Sequence, residues 1–555
     1  MKSFFKNRLK KGTYWLLGLA IAAVVSLGSV IHNDFEISKN LDIFATLFRQ
    51  LNTNYVEEIN PGKLTKVAID AMLLSLDPFT EYIPEADIED YRMMQATHAG
   101  SAGFAVQLRQ GRHVVITINN NSSAMNEGLL VGDVLLEVDG LSVEGRSAEE
   151  VNYLLNGQTG TRVRVKLQRP YTEEMLNRQL ERANIREQLI PWSGMPREGI
   201  AYVSLRTFLQ NAGRDVKESF VQLTSENDVN GLILDLRGNG GGLLLEAVNI
   251  ANLFVRQNEV IASTRGRISD RNRVYRTFSS PMDMEMPVVI LIDEQSASAS
   301  EIVAGAMQDL DRGIVIGKTS YGKGTVQNVV PLVYNSQLKV TIAKYYIPSG
   351  RCIQAEYLPG TTDPIPDSLI TPFTTRNGRT VFDGKGIIPD IHTGRPDLSP
   401  IGRALMNSYQ IFDFATWYRT QHDSVAPPES FDITHQIWNA FVEFLNREGF
   451  SYRTASEERL TELMAAAEEE GYKTYLQEEI NAVSATMQRL KQDDLERNRE
   501  EISRLLQREI IYRYYFDKGL IKHGLAHDPE LQEAYRIIND RESYLKMLAG
   551  GYRPL

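Results

Sequence analysis

Val288-Val289-Ile290-Leu291-Ile292 is a continuous run of branched apolar residues, and three residues later comes Ser296-Ala297-Ser298-Ala299-Ser300-Glu301. A second, mainly apolar stretch, Glu301-Ile302-Val303-Ala304-Gly305-Ala306-Met307, overlaps its end. The first run is short and rich in β-branched residues, which reads as a buried strand, and the second reads as a packed helix. The serines therefore fall at a strand-to-helix turn, where helix N-terminal N–H groups point at whatever binds. Flanking segments repeat the pattern. Ile200–Val203 and Gly231–Asp235 read as strands, and Asp215–Leu223 and Leu243–Phe254 read as helices. That alternation predicts an α/β layer.

At 555 residues the chain is too long for one core. A net charge of −11, with no basic stretch beyond the N-terminus, argues against nucleic acid as a partner. Cys352 is the single cysteine and the eight histidines are scattered, so neither a disulfide nor a metal site is expected, and no cofactor is implied. Lys2, Lys6, Arg8, Lys10 and Lys11 precede an uncharged run, Tyr14–Ile31, that as a helix would span roughly 27 Å, near the thickness of a bilayer core. Asp34 and Glu36 follow, so the positive-inside rule exports the remainder. Residues 1–33 are thus expected to be a signal peptide or an inner-membrane anchor, with the anchor favoured, and the chain to work in the periplasm or cell envelope.

The chain reads as an α+β multidomain protein. Residues 34–96 form a helical segment in which Leu41, Ile43, Phe44, Leu47 and Leu51 recur at helical spacing. Residues 97–172 hold glycine-punctuated short strands and one helix, about Ser147 to Asn156, and read as a compact β module. Residues 173–398 are the α/β region. Residues 399–555 turn helical and charged, without a strict heptad pattern. These last helices are expected to serve a homo-oligomer contact, an adaptor or a shield over the site, against the plainer reading of a solvated extension.

A serine hydroxyl needs a base to become a nucleophile. Ser320-Tyr321-Gly322-Lys323-Gly324-Thr325-Val326-Gln327 offers a lysine between glycines. A P-loop reading fails because Gly324 stands where a serine or threonine must bind magnesium. A Ser-x-x-Lys reading from Ser320 fails because the glycines disfavour the helix it needs. Lys323, Thr325 and Gln327 alternate, which predicts one shared strand face. Gln327 would then orient the lysine amine. To act as base the lysine pKa must fall from about 10.4 towards 7–8, a cost of roughly 4 kcal/mol that burial can supply. Asp235-Leu236-Arg237-Gly238-Asn239-Gly240-Gly241-Gly242 sets four glycines in five positions after a buried strand. Such a backbone can aim N–H groups at developing negative charge, and Asp235 and Arg237 read as loop staples. Residues alone leave Ser296, Ser298 and Ser300 equally eligible.

Taken together, Ser-Ala-Ser-Ala-Ser-Glu-Ile, Gly-Lys-Gly-Thr-Val-Gln and Asp-Leu-Arg-Gly-Asn-x-Gly-Gly resemble the C-terminal processing peptidases, or tail-specific proteases. Leu76-Asp77-Pro78, Thr341–Arg351 and Gly386-Ile387-Ile388-Pro389-Asp390 extend the likeness over roughly residues 35–395. The resemblance implies a ClpP/crotonase-like α/β protease core and a PDZ β module. It selects Ser298, 25 residues before Lys323, as nucleophile, with Lys323 as base and Gln327 as orienter. Gly241 and Ala299 would supply oxyanion N–H groups, although Gly240 stands where the family commonly has proline. In the PDZ module, Gly128–Leu135 resembles the characteristic turn and strand. Gly100, Gly103 and Phe104 would hold a peptide carboxylate, in a loop that departs from the family's Gly-Ile-Gly form, and a bound tail would add beside Phe104–Leu108. The implied activity is a serine endopeptidase of substrates with exposed C-termini. A catalytically idle PDZ scaffold or periplasmic chaperone is the alternative. A Ser-His-Asp protease would instead need one of His98, His113 and His392.

Overall fold

The computed structural model describes residues 35–85, 100–172, 174–184, 189–356, 365–394 and 398–550. The apolar run Tyr14–Ile31, with the expected leader or anchor, lies outside the described residues, as does His98. Among the described residues no helix is long and apolar enough to cross a membrane.

Two compact units emerge. The smaller holds the described part of Met1–Ile88 and Val329–Val340. Its first helix, 35–54, carries Leu41, Phe44, Leu47 and Leu51 exposed rather than in a core. A second helix, Pro61–Leu74, starts where the Asn60 side chain accepts the Lys63 N–H and Pro61 presets the first turn. Strand Glu81–Ile83 then pairs antiparallel with residues 337–339.

The larger unit begins with the β module. Strands β1 (Phe104–Arg109), β2 (Arg112–Ile118) and β3 (Val134–Val138) precede helix α1 (Ala148–Leu155), and β4 (Arg162–Gln168) and β5 (Met175–Glu181) complete an antiparallel sheet in the order β1-β2-β3-β4-β5. A capping box between Ser147 and Glu150 starts α1. β5 pairs with β4 along its whole length, so the module's sheet runs past residue 172.

The α/β region follows as β6 (Ser193–Arg197), β7 (Ile200–Ser204), α2 (Ala212–Glu226), β8 (Gly231–Asp235), α3 (Leu244–Ala251), β9 (Val288–Ile292), α4 (Ala299–Asp309), β10 (Ile314–Gly317), β11 (Thr325–Pro331) and β12 (Ile391–His392). Its sheet has the order β6-β7-β8-β9-β10-β12, parallel from β7 onward. Every residue of β8 and β9 is buried, as continuous apolar strands require when both sheet faces are covered. One face packs on α2, α3 and α4 through Val216, Phe220, Val248 and Ile302.

The other face is covered from the far end of the chain. Residues 399–550 fold as helices that include α5 (Gln410–Gln421), α6 (Arg499–His527), α7 (Pro529–Asn539) and α8 (Arg541–Leu548). Leu531, Ala534, Tyr535, Ile538, Tyr544 and Met547 of α7 and α8 share one core with Tyr202, Ile233, Val289 and Ile316 of the sheet. Tyr544 Oη also accepts the Val288 N–H at 3.0 Å. The end of the helical extension is therefore a layer of the core, not a solvated appendage. Its register with the sheet was not readable because the two partners lie some 250 residues apart. Leu531 is 1% exposed. Leu531→Ala should cost about 2–5 kcal/mol, seen as a lowered urea midpoint of the whole chain. An unchanged midpoint would contradict this layering.

Candidate active site

β9 ends at Ile292 and α4 begins at Ala299, so Ser296 and Ser298 lie on the turn the sequence predicts and Ser300 in the first turn of the helix. Their hydroxyls differ. Ser296 is fully buried, and its Oγ donates to the Leu236 carbonyl at 2.8 Å and accepts the Asp293 N–H at 2.9 Å. Ser300 is equally buried, and its Oγ donates to the Asn239 carbonyl at 2.9 Å. Ser298 is partly exposed and holds φ 55° and ψ −109°. That conformation costs a residue other than glycine on the order of 1–3 kcal/mol and persists only where the surroundings impose it. Two serines staple the turn and the third stands out from it.

What imposes it is Glu301, three residues on and fully buried. One carboxylate oxygen, Oε2, accepts the Ser298 N–H at 2.7 Å and the Lys323 N–H at 2.9 Å. The other, Oε1, accepts the Gly322 N–H at 2.7 Å and the Ser320 hydroxyl at 2.5 Å. The serine turn and the lysine loop thus meet on a single side chain. Ser320 Oγ in turn accepts the Ile387 N–H at 2.7 Å, tying in the Gly386–Asp390 segment. This use of Ser320 also removes it as a nucleophile. Burial drives the Glu301 carboxyl up to about 6, against the pull of its four donors.

Lys323 is partly buried and precedes β11, which starts at Thr325, so the predicted alternation holds for Thr325 and Gln327 but does not extend to the lysine. The cause is local. Glu301 takes the N–H groups of Gly322 and Lys323, and Gln354 Oε1 takes that of Gly324 at 3.0 Å, so this backbone is held by side chains rather than a strand ladder. Gly322 has φ 83°, and a Cβ there would stand 2.4 Å from the Ala355 Cβ. Gln327 Nε2 donates to Thr325 Oγ1 at 2.8 Å and Thr341 Oγ1 at 3.2 Å. Its amide is oriented with the carbonyl end left as the acceptor.

The glycine loop lies against the serine turn. A Cβ on Gly241 (φ 99°) would stand 2.6 Å from the Ala297 carbonyl oxygen and 2.8 Å from the Ser298 Cβ, so only glycine fits. Asn239, fully buried, joins the two loops. Its carbonyl accepts the Ala297 N–H at 3.0 Å, and its side chain donates to the Leu205 carbonyl and accepts the Gly241 N–H at 2.9 Å. The Gly241 amide expected in the oxyanion hole is therefore engaged by Asn239. Ala299 is fully buried as the first residue of α4. Arg237 forks onto Asp235 at 2.5 Å, and from the C-terminal helices it meets Asp528 at 2.6 Å and Glu530. Asp235 also accepts the Tyr202 hydroxyl at 2.7 Å. His113 and His392 belong to β2 and β12, outside the network around Ser298.

In the β module, Gly103 (φ 93°) donates its N–H to Ser101 Oγ at 3.2 Å and its carbonyl accepts the Asn119 N–H. Gly100 pairs with Gly157, and Phe104 is buried in the module's core. Sequence reasoning treated Glu301 as a helix start and Asn239 as a loop residue. The Ser-x-x-Glu spacing of a capping box was the available signal for Glu301, and none pointed to Asn239, Asp528 or Glu530.

Glu301 also sets a pH dependence. Its folded pKa, about 6, lies above the ordinary 4.5, so the stabilisation tied to its proton is complete below about pH 4.5 and lost as pH rises through 6. Relative to Glu301→Gln, the wild type should lose about 2 kcal/mol of stability across that interval. Unfolding curves of both at pH 4.5 and 7 measure it, and parallel pH profiles would contradict it.

Comparison with known proteins adds an independent line. Residues 199–365 match the model of peptidase family S41, residues 114–169 a PDZ domain, and residues 401–538 the C-terminal helical domain of probable PDZ-proteases. The carboxy-terminal-processing protease of Bartonella bacilliformis is 32% identical over 355 residues, covering 62% of this chain and 80% of that one. The carboxy-terminal processing protease CtpB of Bacillus subtilis is 29% identical, covering 58% and 67%. The chloroplastic C-terminal processing peptidase of Tetradesmus obliquus is 33% identical, covering 51% and 64%. With its strand–turn–helix serine site, its PDZ module and these relatives, the chain belongs to the C-terminal processing peptidases of family S41.

Proposed function

We propose that this peptidase is a Ser-Lys endopeptidase of the cell envelope that takes protein substrates by their C-terminal tails and cleaves through an acyl-enzyme. Ser298 Oγ attacks the scissile carbonyl as Lys323 accepts its proton. The tetrahedral oxyanion is held by the N–H groups of Ala299 and Gly241. Lys323 then returns the proton to the leaving amine, and water, deprotonated in the same way, releases the acyl group. Gln327, its amide nitrogen occupied by two threonines, offers its oxygen to orient the lysine amine. Gly241 must exchange its bond to Asn239 for one to the oxyanion, and the charge-assisted bond favours that exchange.

The observation that carries this reading is the sharing of Glu301 Oε2 by the Ser298 and Lys323 backbones, combined with the exposure of Ser298 alone among the three serines. Envelope location is supported by the charged and then apolar N-terminus, and tail recognition by the PDZ module. Ser298→Ala and Lys323→Ala should each lower cleavage of a tail-exposed protein by about three orders of magnitude or more with an unchanged circular dichroism spectrum. Full activity in either variant sinks the assignment. Retained activity in both with loss in His113→Ala or His392→Ala would restore a histidine mechanism.

A further inference from the structure

The groove that should receive a tail is already occupied by the module itself. An incoming strand can add to β1 only by pairing with the backbone groups on the edge that faces α1. Val106 lies at the middle of that edge. Its N–H donates to Asn152 Oδ1 at 2.9 Å, and its carbonyl accepts from Asn152 Nδ2 at 2.9 Å. A side-chain amide has one acceptor and one donor face, so this pair reproduces the two bonds that a neighbouring strand's peptide groups would make. Asn152 sits in the second turn of α1, the helix that forms the opposite wall.

The loop that would hold the carboxylate is also engaged in part. The Ser101 N–H donates to the Ala183 carbonyl at 2.9 Å, and the Gly103 N–H donates to Ser101 Oγ at 3.2 Å. β1 cannot easily shift to make room. Beyond Leu108, the Arg109 guanidinium lies 4.1 Å from the Tyr409 ring and 3.9 Å from the Phe412 ring, on or beside α5. Arg513 of α6 also lies 4.1 Å from the Phe412 ring. The strand is anchored to the C-terminal helices, so entry must proceed by displacing a side chain.

We infer that Asn152 is an internal stand-in for substrate, closing the PDZ groove until a C-terminal tail displaces it. This rests on the proposed role of the PDZ module as tail receptor. A tail lying antiparallel to β1 with its carboxylate at Gly103–Phe104 places a peptide group opposite Val106 and takes over both of its bonds. Asn152 then turns out to solvent. Because bonds are exchanged rather than added at this point, the groove holds only tails whose carboxylate and apolar side chains supply the difference. Asn152 is thereby a specificity-determining residue that raises the threshold for capture.

The test uses the full chain in the Ser298→Ala background, so that bound peptide is not cleaved. Fluorescein-labelled short peptides ending in valine, with either a free carboxylate or a C-terminal amide, are titrated by anisotropy. Replacing Asn152 by alanine should tighten the free-carboxylate peptide by roughly fivefold or more and leave the amidated one weak. Unchanged or weaker binding in Asn152→Ala, with the carboxylate still preferred over the amide, overturns the stand-in and leaves tail recognition intact. Equal binding of acid and amide, or none, in both proteins overturns tail recognition itself, and the inference with it. Asn152→Ser, too short to reach both groups, must move affinity in the same direction, and it carries the test if the alanine variant fails to fold.

Discussion

A buried carboxylate with four donors around it joins the serine turn to the lysine loop. Glu301 has no exposed surface, and an ionised group in that position would be prohibitively costly without partners. Three backbone N–H groups and one hydroxyl supply them, and charge-assisted bonds of this kind are worth about 1.5–3 kcal/mol each. These bonds offset part of the desolvation that burial imposes, and they fix two otherwise unfavourable loops, the Ser298 turn with φ 55° and the glycine-flanked Lys323 segment. Neither loop has a strand or helix ladder to satisfy it at these positions. Ser298 and Lys323 come from elements separated by β10, and the carboxylate is the point at which their backbones meet.

A second constraint reaches the site from behind. The sheet that carries β8 and β9 would present an apolar face to water if the chain ended after β12. Helices α7 and α8 cover that face, and the N-cap and first turn of α7 bring Asp528 and Glu530 to Arg237. Asp235 closes the set, and the Arg237 guanidinium is held firmly charged by these carboxylates. Arg237 begins the glycine loop that lies against Ser298, so that loop and the C-terminal helices share one ion-pair network. The same helical domain grips the PDZ module through Arg109 and Phe412. Both functional ends of the larger unit therefore lean on residues beyond 399.

Much of this was legible in the residues. Apolar runs at Gly231–Asp235 and Val288–Ile292 read as fully buried strands because they are short, rich in branched residues and bounded by turn signals. The glycines around Gly241 and Lys323 mark close backbone approaches, and the structure brings Ser298 and Ala297 to one and Ala355 to the other. The choice among three serines was not legible locally. It depends on Leu236 and Asn239, which occupy two of the hydroxyls from some 60 residues away. Nor was the irregular backbone at Lys323, since alternation predicts a strand wherever no competing side-chain acceptor is visible. The role of the last helices was hidden because helical periodicity reports that a face is apolar and not what covers it. Asn152 was hidden for the same reason: a polar residue on α1 gives no sign that it binds a strand edge.

The account turns on Ser298 being the group that becomes acylated. Incubation of the Lys323→Ala variant and the wild type with an activated peptide ester, followed by acid quench and peptide mapping by mass spectrometry, reads this directly. The account predicts a single acyl adduct on the peptide containing Ser298 in the wild type, placed on that residue by fragmentation, and little or none in the variant. An adduct on Ser296, Ser300 or Ser320, or equal labelling in the two proteins, would contradict it.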